Sequence, residues 1–195
     1  LAASQTWKKV QNIANQGKDN LEITNLLSLG NGKILITLPI AQTTFCDAFT
    51  FDGEEWNKIF ENEYIKSLRL SEGKLIKIAY RSLNIYDVNN LVNGGEIYHL
   101  SDEWNPVHGI HLDINDAIID SQDLWLAHQT KGLIRLKDYR NGTHNKSEHF
   151  PDGPKSNHIY SITASEDGKI YIAPGGKTIQ NAPHGLASDI YTFDG

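Results

Sequence analysis

Apolar and polar residues alternate over short runs along the chain, which is typical of half-buried β-strands. Runs of this kind begin at four spaced positions, which are Ile23, Ile65, Ile114 and Ile159. Each run is followed by a polar turn, mostly rich in Gly, Asn or Asp, and then by a second apolar run. Helical periodicity is nearly absent. The pattern therefore predicts an all-β chain that is built from hairpins.

The same unit recurs along the chain. Trp7, Trp56 and Trp104 stand 49 and 48 residues apart in similar contexts. The segments 47–53 and 189–195 share five of seven residues, at a separation of about three such units. Four short antiparallel strands in ~40–50 residues have the length and strand number of a β-propeller blade.

We therefore predict a β-propeller of about four four-stranded antiparallel blades. The approximate blade ranges are 17–60, 61–107, 108–151 and 152–195, with 5–10 as an outer strand. Two arrangements are open: the chain is part of a larger propeller, which we favour, or the Trp7 strand completes the last blade of a closed ring. The outer-strand tryptophans are expected to cover the edge of the next blade. The absence of Met indicates a chain processed or cut from a longer product.

Composition excludes several classes of function. With 18 basic and 24 acidic residues the net charge is −6, which argues against nucleic acid as the main partner. The longest apolar run, 34–40, contains Thr37 and Pro39 and is far shorter than the ~20 residues of a membrane span. The single Cys46 cannot form an internal disulfide, and we expect it to be a small half-buried hydrophobe in a strand.

Motifs for catalysis or cofactor binding are missing from the sequence. The close pair His108 and His111 lies beside Pro106 and Gly109 in a predicted loop, without a carboxylate at a recognised metal spacing. The segment 113–116 lacks the Gly and Glu of a calcium loop and is predicted to be an inner strand. We therefore expect no enzymatic activity, no bound metal and no cofactor.

The variable loops are the predicted binding surface, because the ligand sites of propellers lie where otherwise similar blades differ. These loops are 39–45, 105–113, 128–131 and 174–188. The candidate ligand-binding residues are Lys177, His184, His128 and Lys131. Their polar side chains suit hydrogen bonding to a polar or anionic ligand such as a glycan. The alternative for each of them is a solvated loop residue with no ligand.

Residues 124–136, Leu-Trp-Leu-Ala-His-Gln-Thr-Lys-Gly-Leu-Ile-Arg-Leu, resemble the repeat of the two-component-regulator propeller family. In that repeat a Leu-Trp-Ile/Val strand is followed by a Gly-Leu strand. The segments 150–157 and 170–176 resemble the PorZ-like propellers of type IX secretion in Bacteroidetes. The resemblance is specific over 111–195 and general over 1–110. Residues 34–37 lack the Trp of the motif, which leaves an ordinary regulator-type propeller open.

This resemblance implies an exported protein at the cell surface, outer membrane or periplasm. It implies a non-catalytic interaction scaffold without a membrane span of its own, in a protein with tandem propellers and a C-terminal sorting domain. Its partners would be other secretion-machinery proteins or a surface glycan such as anionic lipopolysaccharide. The alternative is the periplasmic oligosaccharide-sensing propeller of a hybrid two-component regulator. No catalytic residues carry over, because the motifs of the repeat are structural.

Replacing Lys177 and His184 with Ala is expected to weaken the binding of purified anionic surface polysaccharide. Both side chains offer N–H donors, and the Lys ammonium forms charge-assisted hydrogen bonds. Isothermal titration calorimetry measures the change in affinity, and an unchanged affinity would remove both residues from the candidate site.

Overall fold

The fold is all-β, as predicted. A computed structural model of the chain describes residues 22–40, 43–79, 82–91, 96–98, 114–129, 132–141, 145–149, 159–174 and 190–193. For 96–98, 141 and 145–149 only the backbone is described. No helix in this part of the chain is long and apolar enough to cross a membrane.

Four antiparallel sheets, in which strands adjacent in sequence pair, follow one another along the described chain. Blade 1 comprises β1 (Asn25–Gly30), β2 (Lys33–Pro39), β3 (Phe45–Phe51) and β4 (Trp56–Tyr64). Blade 2 comprises β5 (Ser67–Ser71), β6 (Lys74–Ile78), β7 (Leu83–Asp87) and β8 (Glu96–Tyr98). Blade 3 comprises β9 (Ile114–Asp120), β10 (Asp123–His128), β11 (Gly132–Lys137) and β12 (Asn145–His149), with a short 3-10 turn at Tyr139–Asn141. Blade 4 comprises β13 (Ile159–Ala164), β14 (Ile170–Pro174) and β15 (Tyr191–Phe193).

The order of these sheets follows the predicted order of the repeat. Strand β4 continues to Tyr64, past the approximate boundary placed at residue 60. Trp7, Trp104 and the expected outer strand 5–10 lie outside the described residues, so the role of that strand stays a prediction.

Tight hairpins explain the Gly and Asn residues that follow the first strands. In the β1–β2 turn Asn31 and Gly32 have φ of 51° and 75°, and in the β5–β6 turn Glu72 and Gly73 have φ of 47° and 69°. Two successive positive φ values match the type I′ turn, whose twist suits a two-residue hairpin. The left-handed conformation is cheap for Gly and tolerated by Asn, whereas Glu72 adopts it at some cost.

Apolar cores between successive blades hold the sheets together. Blades 1 and 2 meet through Leu29, Leu35, Ala48, Phe60, Leu68, Leu75, Tyr86 and Leu91. Blades 2 and 3 meet through Ile76, Ile78, Leu83, Ile85, Ile114, Ala117, Ile119, Leu124, Leu126, Ile134, Leu136 and Tyr139. Blades 3 and 4 meet through Ile118, Trp125, Ala127, Leu133, Ile159, Ile162, Ile170 and Ile172. No core cluster within the described ranges joins blade 4 to blade 1, and both ring arrangements remain predictions.

The aromatic residue that covers the neighbouring blade is Phe60 rather than Trp56. The Phe60 ring lies 5.1 Å from the ring of Tyr86 in blade 2. Trp56 instead stacks on Phe51 at 4.8 Å and packs against Phe49, within its own sheet. The expectation that Trp56 covers the edge of the next blade is therefore wrong. Successive side chains of β4 point to opposite faces, and a register shift between Lys58 and Phe60 puts Phe60 on the face opposite to that of Trp56.

Asp47 holds a second irregularity of β4, which lies between Phe60 and Glu63. Its Oδ1 accepts a hydrogen bond of 2.8 Å from the backbone N–H of Asn62, a residue held at a positive φ of 51°. Its Oδ2 lies 3.0 Å from the ammonium of Lys58. Burial alone would raise the pKa of the Asp47 carboxyl, but these two donors outweigh it and hold the pKa below its ordinary value.

Asp47→Asn is expected to lower the free energy of unfolding by about 2 kcal/mol at neutral pH, because it removes charge-assisted hydrogen bonds from a buried acceptor. The folded pKa of Asp47 lies below the unfolded value of about 3.9. The contribution is therefore present above that unfolded pKa and is lost as the pH falls through the folded pKa. Urea unfolding of both proteins across this pH range measures the difference.

Glu61→Gln is the matched control, because Glu61 pairs with the same lysine but its side chain is 76% exposed. We expect its effect to stay within about 0.5 kcal/mol at every pH. Equal effects of Asp47→Asn at neutral and at strongly acidic pH would contradict the role given to the Asp47 charge.

Candidate functional site at the loop end of the blades

One end of the sheets carries the links between blades and the loops between second and third strands. Tyr64, which ends β4, pairs with Phe45, which begins β3 after such a loop. In blade 3, Ile114 at the start of β9 pairs with His128 at the end of β10. We call this end the loop end. It is the end at which the sequence places the candidate ligand-binding loops.

Among the predicted site residues, His128 alone falls in the described part of the chain. It ends β10, pairs with Ile114 and Gly132, and has no exposed surface. A side chain buried to this extent does not reach a dissolved ligand in this conformation. Lys131, Lys177 and His184 lie outside the described residues.

A buried carboxylate, Asp116, joins three blades near the loop end. Its Oδ2 accepts hydrogen bonds from the hydroxyl of Ser161 at 2.8 Å and from the backbone N–H of Ile162 at 3.2 Å, both in blade 4. The same oxygen lies 3.4 Å from the guanidinium of Arg69 in blade 2. Asp116 itself is only 4% exposed. These contacts satisfy a buried charge whose isolation would be costly.

The Arg69 guanidinium spans blade 3 to reach blade 4. One of its terminal nitrogens donates to the carbonyl oxygen of Ile162 at 2.7 Å, while the other faces Asp116. The side chain remains 30% exposed. A guanidinium carries more N–H donors than these two bonds use, so part of its hydrogen-bonding capacity faces solvent.

Two bulges interrupt inner strands at equivalent positions of the repeat. Asn115 has no partner in the β9–β10 ladder, and Tyr160 has none in the β13–β14 ladder. The Asn115 amide donates to the carbonyl of Ile159 at 2.6 Å, and Tyr160 is 42% exposed. Bulges re-aim side chains and are frequent beside binding sites. We name Arg69, Asn115, Asp116, Tyr160 and Ser161 the inner-strand cluster.

A second group of polar residues lies between blades 1 and 2 at the loop end. Lys77 is 3% exposed, forms an ion pair with Glu63, and places its ammonium 4.4 Å from the centre of the Phe60 ring. The Cys46 thiol donates to the Glu63 carbonyl oxygen at 3.5 Å. Burial raises the pKa of this thiol in β3, which disfavours the thiolate form. Cys46 lies in a strand as expected, and it is buried rather than half-buried.

An aromatic pair is exposed beside this group. The rings of Phe45 and Tyr64 meet edge to face with centroids 6.4 Å apart, and Phe45 is 41% exposed. Nothing in the sequence pattern distinguishes Phe45 from a core aromatic. The pair gives the loop end an aromatic surface that is separate from Tyr160.

The inner-strand cluster was missed by the sequence reasoning, although a signal was present. Alignment of the repeat places Asn115 opposite Tyr160, and Asp116 opposite Ser161. Polar residues at equivalent inner positions of two blades depart from the apolar pattern. Arg69 gives no such signal, because its partners lie far away in sequence.

The polar groups described here form hydrogen bonds and ion pairs with one another. Asp116 accepts from several donors at once, and Asp47 and Glu63 each have a lysine partner. No group of three or more His, Cys, Asp or Glu side chains that could hold a metal ion occurs within the described ranges. The absence of a metal and of enzymatic activity remains a prediction.

Comparison with known proteins shows similarity in fold only. No family model and no curated protein matches the sequence. Solved structures of similar fold include the extracellular domain of the hybrid two component system BT3049 from B. thetaiotaomicron, at 19% identity and a TM-score of 0.54, covering 96% of this chain and 25% of that one.

Two further structures are similar to the same extent. The extracellular domain of BT4673, also from B. thetaiotaomicron, has 16% identity and a TM-score of 0.53, over 88% of this chain and 23% of its own. PorZ of Porphyromonas gingivalis, a surface component of the type-IX secretion system, has 13% identity and a TM-score of 0.53, and the match covers 77% of this chain and 24% of PorZ. The chain thus spans about a quarter of each structure. The propeller-like all-β fold is confirmed.

Asp116→Asn is expected to lower the free energy of unfolding by about 2–3 kcal/mol, because it weakens contacts to both neighbouring blades and leaves Arg69 without a counter-ion. Urea unfolding measures the loss. A double-mutant cycle with Arg69→Gln should give a coupling of about 1 kcal/mol between the two side chains.

Asp120→Asn serves as the comparison, because Asp120 ends the same strand and is only partly buried. Its effect should lie within about 0.5 kcal/mol. If both substitutions cost the same, Asp116 would not be the point at which the three blades are joined.

Proposed function

We propose that the chain is part of a non-catalytic propeller scaffold of an exported Bacteroidetes surface protein, with a PorZ-like role in type IX secretion. Its partners would be other proteins of the secretion machinery or surface lipopolysaccharide. The resemblance of residues 111–195 to PorZ-like propellers supports the proposal. The shared fold with PorZ, described as a surface component of that system, is compatible with it.

The observation that carries the scaffold role is the inner-strand cluster. The buried Asp116 carboxylate, its ion pair with the partly exposed Arg69 and its hydrogen bonds fix three blades to one another, and Tyr160 also keeps part of its surface exposed at the loop end. A rigid support with adaptable polar groups at its surface is the usual arrangement of a propeller binding face. Nothing in the arrangement needs a reacting group.

A second candidate function is the oligosaccharide-sensing propeller of a hybrid two-component regulator. The fold is shared with extracellular domains of two component systems. One observation favours this candidate: the charges of Arg69 and Asp116 cancel, so the inner-strand cluster offers hydrogen bonds without a net positive field. Such a site suits an uncharged oligosaccharide as well as it suits a protein surface.

Cosedimentation with outer-membrane vesicles from a Bacteroidetes bacterium tests the scaffold role. We expect the purified chain to be retained by untreated vesicles, and to be lost either after protease treatment or from vesicles that lack the surface polysaccharide. Those two losses separate a protein partner from lipopolysaccharide. An unrelated protein of similar size and net charge controls for trapping.

Equal retention of the chain and the control protein would contradict the scaffold role. Absence of vesicle binding together with binding of a soluble oligosaccharide would select the sensor. The vesicle assay uses no substituted chain, so its outcome does not depend on which loop-end residues make the contact.

A further inference from the structure

We infer that the interface between blades 1 and 2 is a hinge, at which blade 1 opens away from blades 2, 3 and 4 while those three stay together. The movement is independent of the proposed function, since it requires no partner and no ligand. Three differences between this interface and the ones that follow it support the hinge. They concern the hydrogen bonds between blades, the residues of the core and its exposure to solvent.

Blades 2, 3 and 4 are joined through hydrogen bonds to backbone groups. The Ser71 hydroxyl of blade 2 bonds both the carbonyl and the N–H of Ile119 in blade 3, each at 2.9 Å. The Glu72 carboxylate accepts from the N–H of Ser121 at 2.7 Å. The bonds of the inner-strand cluster continue the connection to blade 4. Backbone groups are held in place by their sheets, so these bonds restrict movement of one blade against the next.

The polar contact that the structure describes between blades 1 and 2 is of another kind. It is the ion pair of Lys77 with Glu63, which joins two side chains, and the Glu63 side chain is 39% exposed. Both side chains have several rotatable bonds, and solvent already reaches the carboxylate. The pair therefore restricts movement less than bonds between fixed backbone groups do.

Two polar residues occupy core positions on the side of blade 2 that faces blade 1. Lys77 and Asn84 pair across β6 and β7, so their side chains lie on the same face, and both are buried. The equivalent cross-strand pairs of blades 3 and 4 belong to the apolar cores, and they are Leu126 with Ile134 and Ile172 with Tyr191.

Burial of Lys77 and Asn84 has a cost that opening of the interface removes. The side-chain oxygen of Asn84 is buried and accepts no hydrogen bond within the described part of the chain. An unsatisfied buried acceptor carries the full cost of its desolvation, and an ammonium is better hydrated in water than in a core. Opening exposes apolar residues, but it also hydrates this amide and this ammonium. The hydration lowers the free energy of opening at this interface.

The core between blades 1 and 2 is also less closed to solvent. Several of its buried members are 6–9% exposed, whereas no member of the core between blades 2 and 3 exceeds 4%. Further apolar side chains packed against it are only partly buried, and they are Leu27, Ile59, Ile65, Leu70 and Val88. Regions with fewer fully buried contacts open at a lower free energy than the rest of a fold.

Cys46 is the reporter of this movement, because it is the single cysteine of the chain and is buried beside Glu63. The experiment measures the rate at which an excess of a thiol-reactive disulfide reagent labels the folded chain, at urea concentrations below the unfolding transition. We expect the urea dependence of the opening free energy to lie between zero and that of global unfolding, because opening exposes only part of the buried surface.

Ala117→Cys in a chain that also carries Cys46→Ala is the matched variant. Ala117 has no exposed surface and belongs to the core between blades 2 and 3. A thiol at this position should be labelled only through global unfolding, with the full urea dependence. Circular dichroism and urea unfolding check that the variant folds.

Asn84→Ile tests the cause of the opening. It removes the unsatisfied amide and supplies the residue type that Ile134 gives the equivalent position of blade 3. Labelling of Cys46 should become about tenfold slower, since the closed state no longer carries the cost of that amide. Ser71→Ala removes bonds between blades 2 and 3 and should leave the labelling of Cys46 unchanged.

Each of four outcomes would overturn the hinge. Labelling of Cys46 with the urea dependence of global unfolding would show that blade 1 does not open separately, and labelling with no urea dependence would show a local fluctuation. Labelling of Ala117→Cys as fast as that of Cys46 would show that the movement is not confined to blade 1. An unchanged rate in a folded Asn84→Ile chain would remove the buried amide as its cause. None of these results affects the outcome of the vesicle assay.

Discussion

Every blade with a neighbour on each side must bury both faces of its central strands. In β6, Leu75 belongs to the core shared with blade 1, whereas Ile76 and Ile78 belong to the core shared with blade 3. A single four-stranded sheet with apolar residues on both faces is unstable in water, and stacking is what removes that surface from solvent. The remaining architecture follows from this constraint. Polar groups are left to the strand ends, the hairpin turns and the inner edges, and those are the places where binding is possible.

Apolar packing is non-directional, so it does not by itself fix how one sheet is set against the next. The inner strands supply the direction through hydrogen bonds between blades. Arg69 bonds the carbonyl of Ile162, Asp116 accepts from Ser161, and the Ser71 hydroxyl both donates to the carbonyl and accepts from the N–H of Ile119. Each bond has a narrow range of distance and angle, which restricts sliding of the packed sheets. The groups nearest the candidate ligand site are therefore also those that hold it in shape.

The strands and turns could be predicted from the sequence because their causes are local. Alternation of side chains and the tolerance of Gly and Asn for positive φ act over a few residues, and the turn at Asn31 and Gly32 follows from them. The contact of Arg69 with Ile162 crosses 93 positions of the chain and exists only once three blades are stacked. The same holds for the presence of Phe60 instead of Trp56 at the blade interface, which depends on a register shift in the pairing of β3 with β4. Of the site, the sequence indicates the loop end, while the particular side chains emerge from tertiary contacts.

The apolar faces of the blades resemble one another, so apolar packing alone does not determine which blade packs against which. Within the described part of the chain, two ion pairs that each have one buried partner cross between blades, and their residues differ. Lys77 of blade 2 meets Glu63 of blade 1, and Arg69 of blade 2 meets Asp116 of blade 3. Buried ion pairs contribute little net stability compared with apolar residues of the same volume, but leaving one partner alone is costly. If the blades packed in another order, Lys77 or Asp116 would be buried in an apolar interface without its ion-pair partner. The pairs therefore act against wrong arrangements more than they strengthen the right one, and they place blade 2 between its two proper neighbours.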